Sequence, residues 1–209
     1  MNKTAKHLLE IKAVKLNNET PFTWASGRKS PIYCDNRVTL SYPEIRTYIR
    51  DQFVEIIRKN YADVDVIAGV ATGGIAQGAL VAQVLEKPFV YVRAEEKKHG
   101  TNSRIEGHLN AGQKVVVIED LVSTGKSSLI AVDALREAGC EVLGMVAIFT
   151  YTLKTALENF EQANVKLDTL TTYPILLEQA VESGYISEND VISLNAWSAD
   201  PAEWSDNRM

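Results

Sequence analysis

Cysteine is scarce in this chain: Cys34 and Cys140 are the only two. That is too few for a disulfide framework or a zinc site, and it points to a reducing cytoplasm. Long apolar runs are also missing, since none approaches the roughly 20 residues of a membrane-spanning helix. The opening M-N-K-T-A-K-H-L-L-E-I-K has neither the apolar stretch nor the cleavage site of a secretory signal. Positive charge is not in excess: 22 Lys and Arg against 27 Asp and Glu leave a net charge of -5. The chain therefore has no bulk attraction to nucleic acid or to an anionic membrane. No repeat, low-complexity tract or Pro/Gly/Ser-rich linker divides the 209 residues, which argues for one continuous unit. What is present is a globular mixture, 45% hydrophobic, with enough apolar material to fill a core.

From residue 64 onward short apolar runs alternate with helical patterns. The runs are V-D-V-I-A-G-V (64–70), P-F-V-Y-V (88–92), K-V-V-V-I (114–118), E-V-L-G-M-V-A-I-F (141–149) and K-L-D-T-L-T-T-Y (166–173). Ile75, Ala79, Ala82 and Leu85 carry one helical stripe; Leu129, Val132 and Leu135 carry another that stops at Gly139. Near-continuous apolar strands between helices predict an α/β fold, a parallel sheet flanked by helices on both faces. Sites in such sheets lie beyond the carboxyl ends of the strands. Before this core, residues 1–63 read as a short helix with Leu8, Leu9, Ile11 and Leu16 on its buried side, an irregular stretch, and a helix from about Tyr42 to Asn60. The core spans 64–173, and 174–209 reads as C-terminal helices in which Trp197 and Trp204 pack the end of the chain. The segment 94–107, A-E-E-K-K-H-G-T-N-S-R-I-E-G, is polar and long for a connection, which marks it as functional or mobile.

The chemistry concentrates in K-V-V-V-I-E-D-L-V-S-T-G-K-S-S, Lys114 to Ser128. Its G-K-S ending invites a nucleotide-triphosphate P-loop, but that loop requires glycine where Asp120 stands. An acid pair there would also repel a triphosphate. Glu119 and Asp120 make sense facing ribose hydroxyls, directly or through Mg²⁺. The S-T-G-K-S turn would then bind one phosphate through main-chain N–H groups and the start of the next helix. Hydroxyls and one phosphate a few ångströms apart describe a ribose 5-phosphate cradle. The bland reading is a strand, a capped turn and a helix, with Thr124, Gly125 and Ser127 as an N-cap cluster.

This segment resembles the 5-phosphoribosyl 1-diphosphate (PRPP) motif of type I phosphoribosyltransferases. Two more stretches narrow the resemblance to the orotate phosphoribosyltransferase family, in its Gram-positive bacterial type. F-T-W-A-S-G-R-K-S-P-I-Y-C-D-N-R (22–37) is similar to that family's N-terminal signature, and Y-V-R-A-E-E-K-K-H-G (91–100) to its mobile catalytic loop. G-V-A-T-G-G-I (69–75) looks like the diphosphate-binding loop. The chain departs from the enterobacterial pattern at Ala25 and Ala94, where that pattern has Lys, and F-T-Y-T-L (149–153) lacks the Arg expected to meet orotate's carboxylate.

The resemblance implies a type I phosphoribosyltransferase fold with a small N-terminal hood, and transfer of phosphoribose from PRPP to orotate in pyrimidine biosynthesis. It implies Lys97, His99 and Asp120 as catalytic residues. PRPP would be bound by Arg93, Lys97, His99, Glu119, Asp120, Leu121, Val122, Ser123, Thr124, Gly125, Lys126 and Ser127. Ser123, Tyr33 and Arg37 would meet orotate, with Arg37 or the amides near Ser26 and Gly27 replacing the absent anion contacts. Mg²⁺ is expected mainly through PRPP, with Asp120 the candidate protein ligand. A homodimer sharing the 94–107 loop is implied, and neither nucleic acid nor membrane is an expected partner. A purine phosphoribosyltransferase would lack the S-G-R-K-S-P segment; a nucleic-acid-binding regulator of the same fold would need a basic surface that this acidic chain does not suggest.

Overall fold

The computed structural model describes residues 2–24, 27–94 and 104–208. Helix α1 (Lys3–Glu10) is capped by Asn2, whose side-chain oxygen accepts the Ala5 N–H at 2.9 Å. Leu8 and Leu9 are buried as expected, but Leu16 is not on this helix. The chain leaves α1 through Lys12 in a left-handed conformation, φ 56°, and Leu16 ends strand β1 (Val14–Leu16). Strands β2 (Phe22–Thr23) and β3 (Lys29–Ser30) form a hairpin, and β4 (Ile32–Cys34) returns antiparallel to β1. A 3-10 helix, Asn36–Ser41, leads into α2 (Pro43–Asn60), which Pro43 starts without losing a helical hydrogen bond.

The alternating part follows as β5 (Val66–Val70), α3 (Gly73–Leu85), β6 (Phe89–Val92), β7 (Ile105–Glu106), β8 (Lys114–Val122), α4 (Lys126–Glu137), β9 (Glu141–Thr150), α5 (Lys154–Gln162) and β10 (Leu167–Thr172). Helices α6 (Tyr173–Glu182), α7 (Glu188–Ala199) and α8 (Pro201–Asp206) finish the chain. The sheet order is β10-β9-β8-β5-β6-β7, parallel except for β7. That edge strand corrects the reading of 94–107 as a connection without regular structure: Ile105 pairs with Val92 and Glu106 with Tyr91. Two residues are too few to show an alternating pattern, so the strand was invisible in the sequence. β8 also runs on to Val122 instead of stopping at Ile118, which puts both acids inside the strand.

Successive residues of the central strands face opposite sides. Ile67, Val116, Ile118, Val146 and Ile148 join a core with α1, α2, α3 and the C-terminal helices. Val66, Ala68, Val115, Val117 and Met145 join a second core under α4 and α5. The first core ends in an aromatic seam. Trp24 of the hood lies 5.7 Å from Tyr151 and 5.8 Å from Trp197, ring centre to ring centre, and Tyr173 lies 5.3 Å from Trp197. Trp197 and Trp204 are buried, as the sequence suggested for the end of the chain. The same seam is tied by Lys29, whose N–H donates to Ser205 Oγ at 2.9 Å. Among the described residues no helix is long and apolar enough to cross a membrane.

Candidate active site

β5 and β8 are neighbours in the sheet, β8 running on past the end of β5, and each hands over to a helix: β5 to α3 through Ala71–Thr72, β8 to α4 through Ser123–Gly125. Two helix N-termini, with their free N–H groups and partial positive charge, therefore converge on one place. Asp120 lies between them. Its carboxylate rests against the first residue of α3, so closely that a Cβ on Gly73 would fall 2.1 Å from the carboxyl carbon and 2.3 Å from both oxygens. A Cβ on Gly74 would fall 2.2 Å from the Ile118 carbonyl oxygen, so the glycine pair lets α3 press directly on β8.

Glu119 behaves differently from its neighbour. It is 5% exposed, one carboxyl oxygen accepts the Asp120 N–H at 2.9 Å, and the other lies 2.8 Å from the Ser128 hydroxyl. Burial first, and then the adjacent Asp120 carboxylate, push its pKa up to about 8. The side chain is thus folded back onto α4 while Asp120 holds the open position.

The following turn is braced from below. Gly125 caps α4 at φ 80°, a conformation that favours glycine, and a Cβ there would strike the Phe160 ring at 2.7 Å. Asn159 donates to the Thr124 carbonyl at 2.9 Å. Fixed in this way, the turn presents the first N–H groups of α4 without helical acceptors, an arrangement suited to a phosphate.

A cavity of about 330 Å³ unites Asp120, Glu119, Leu121, Ser127 and Arg37 with Thr72 and Gly73. A neighbouring one of about 300 Å³ holds Ser123 and Thr124 with Trp24, Arg28, Lys29 and Trp197. Arg37 is fixed by Asp35, with Nε at 2.7 Å and Nη2 at 3.0 Å from its oxygens, and this hydrogen bonding holds the Asp35 carboxyl below its usual range. Tyr33 is 41% exposed and its ring packs 5.8 Å from that of Phe22. It lines neither cavity. Val122 is fully buried, and its carbonyl accepts from Thr150 Oγ1 and the Tyr151 N–H. Lys126 is exposed at the start of α4. Arg93 stands just past β6, 3.5 Å from Glu106. Ser26, Lys97 and His99 lie outside the described residues.

Several contributors went unread in the sequence. Asn36 is 1% exposed and donates to the Asp120 carbonyl at 2.6 Å; Ser128, Asn159 and Phe160 hold the acid pair and the turn. The available signal was the D-N pair inside C-D-N-R, because an Asn in a segment that becomes buried must find hydrogen-bond partners. Among the described residues no cluster of three or more His, Cys, Asp and Glu could hold a metal ion. The half-buried Asp120 carboxylate, in an open cavity, fits a cation that takes its remaining ligands from a bound phosphate compound and water.

Residues 40–170 match the phosphoribosyl transferase domain family. An orotate phosphoribosyltransferase of Phocaeicola vulgatus is 57% identical over 200 residues, covering 96% of this chain and 94% of that protein. One from Listeria innocua is 54% identical, covering 96% of each. Likeness of the same order to both does not single out a Gram-positive type. The crystal structure of orotate phosphoribosyltransferase from Aeropyrum pernix superposes with a TM-score of 0.76 at 33% identity, over 88% of this chain and 99% of that one. The sheet with helices on both faces is therefore the type I phosphoribosyltransferase fold, and the chain is an enzyme that belongs to the orotate phosphoribosyltransferase family.

Proposed function

We propose that the protein transfers the 5-phosphoribosyl group of PRPP to orotate, releasing diphosphate and orotidine 5′-monophosphate for pyrimidine nucleotide synthesis. The observation that carries this reading is the Asp120 carboxylate seated between the N-termini of α3 and α4, above a glycine-capped turn. In the reaction the orotate ring nitrogen forms a bond to C1′ as the C1′–O bond to diphosphate breaks. Positive charge builds on the ribose ring and negative charge on the leaving group, so the protein's task is electrostatic.

The turn from Ser123 to Ser127 would hold the 5′-phosphate, and Asp120 the ribose hydroxyls close to the developing positive charge. The N-terminus of α3 at Thr72–Gly73 offers partial positive charge toward the departing diphosphate. Arg93, Lys97 and His99 are assigned to the same leaving group, closing over it, excluding water and adding charge or a proton. Ser123, Tyr33 and Arg37 are assigned to orotate. Mg²⁺, when bound, supplies further neutralisation of the diphosphate charge, with Asp120 as its protein ligand.

The same reading extends to the whole chain: one phosphoribosyltransferase domain with a hood over 1–63, a core over 64–173 and C-terminal helices over 174–209. It takes the chain as a cytoplasmic homodimer that shares the 94–107 loop, of the Gram-positive bacterial type. The test is an absorbance assay with PRPP, Mg²⁺ and orotate, run in parallel with adenine, hypoxanthine and uracil. Turnover of orotate alone supports the assignment. Binding of PRPP without turnover of any base would replace it with a PRPP-sensing role.

A further inference from the structure

The position of Asp120 in the sheet raises a question of main-chain hydrogen bonding. β5 pairs with β8 only as far as Gly69↔Ile118, while β9 pairs with Glu119 through Ala147 and with Leu121 through Phe149. In a parallel sheet alternate residues direct their main-chain groups to opposite neighbours. Those of Asp120 face the side on which β5 has already turned away into α3. Left unpaired at this depth, such groups carry a desolvation penalty and let the strand end fray.

Two side chains replace the missing strand. Glu119 accepts the Asp120 N–H at 2.9 Å, and Asn36 Nδ2 donates to the Asp120 carbonyl at 2.6 Å. The amide orientation of Asn36 is fixed by chemistry, because only its nitrogen can donate to a carbonyl. Asn36 is itself held: its side-chain oxygen lies 3.3 Å from the Cys34 thiol, and its carbonyl accepts from Thr39 Oγ1 at 2.6 Å. Asn36 belongs to the hood, whereas Asp120 belongs to the sheet, 84 residues later.

We infer that Asn36 is a positioning residue for the reaction, fixing the Asp120 carboxylate by supplying the hydrogen bond that β5 no longer provides. This rests on the reading in which Asp120 meets the ribose of PRPP. Seating of the hood and placement of the acid are then one event, since the clamp closes only when the 3-10 helix lies on the end of β8.

The test is a double-mutant cycle of Asn36→Ala with Asp120→Asn, measured as kcat and KM for PRPP and for orotate. Asn36→Ala should lower kcat/KM for PRPP by roughly tenfold to a hundredfold, on the order expected for a displaced catalytic group, with the orotate KM within about twofold. In the Asp120→Asn background the same change should have much less effect, because the group it positions is already impaired. Asn36→Asp keeps the shape but loses the donor at neutral pH. Its activity relative to the parent should recover as the pH falls and the new carboxyl gains a proton, measured where circular dichroism shows both proteins fully folded, so that loss of structure does not enter the ratio. That variant also serves if Asn36→Ala fails to fold. Independent, multiplicative effects in the cycle together with a flat pH ratio for Asn36→Asp would overturn the inference. Absence of orotate turnover by the parent protein would strike at the activity instead, so the two failures are separable.

Discussion

Gly73→Ala offers a sharp trial of the geometry around Asp120. The added Cβ would stand 2.1 Å from the Asp120 carboxyl carbon. Restoring an ordinary 3.4 Å contact from that 2.1 Å requires a displacement of about 1.3 Å. The obstacle is the end of a short side chain, which can rotate away, and alanine is favoured over glycine in helices by up to about 1 kcal/mol. Thermal stability should therefore stay near that of the parent. Activity should not: a misplacement of about 1 Å in a reacting constellation costs roughly 10²-fold, or about 2.7 kcal/mol of barrier. Gly74→Ala provides the contrast, because its Cβ would meet the Ile118 main-chain oxygen at 2.2 Å, and a strand cannot step aside. That variant should lose stability first. The assays are steady-state kinetics at varied PRPP and a melting curve by circular dichroism for each protein. If Gly73→Ala kept kcat/KM for PRPP within about threefold of the parent, Asp120 would not be where the chemistry needs it.

Three further outcomes follow from other contacts. Gly125→Ala combines a positive φ of 80° with a 2.7 Å approach to Phe160, so it should raise the PRPP KM at least tenfold, an order-of-magnitude expectation for a distorted phosphate turn, and a normal KM would refute the turn's role. Arg37→Ala should raise the orotate KM far more than the PRPP KM; equal rises would move Arg37 to the PRPP side of its cavity. Tyr61→Phe removes the hydroxyl that donates to Asp168 at 2.7 Å and should destabilise the fold by about 1–2 kcal/mol at neutral pH. Burial pushes the Asp168 pKa up, but hydrogen bonds from Tyr61, Lys166 and Asn60 outweigh it and leave it below its ordinary value of 3.8. This stabilisation is present above pH 3.8 and is lost as pH falls through the lower folded value, so denaturant titrations of Tyr61→Phe should show a smaller deficit near pH 3.

The alternation of strands and helices was legible because each central strand is buried on both faces and carries an unbroken apolar run. The acid pair and the T-G turn stood out because adjacent acids at the end of a buried strand call for a partner, although a capped turn offered a second reading. Which acid stays open was not legible. Neighbouring positions on a strand face opposite sides, and only the packing of α4 decides that Glu119 folds toward Ser128. Asn36 escaped notice because its partner is a main-chain carbonyl, which no residue type announces. Leu16 was misplaced because the helical spacing continued past Glu10 by chance, while the left-handed turn at Lys12 has no glycine to signal it.

The three tryptophans of the chain are Trp24, Trp197 and Trp204. Two form the aromatic seam between hood and C-terminal helices; the third is buried on α8, beside the Ser205 hydroxyl that receives the Lys29 N–H. Every indole in the molecule is thus placed where the first and last parts of the chain meet over the sheet. Tryptophan fluorescence, excited beyond the tyrosine absorption band, is consequently a local signal, sensitive to that seam. Any change in how the first and last parts of the chain pack there would register, in a stopped-flow cell and without any label, in the emission of the native protein.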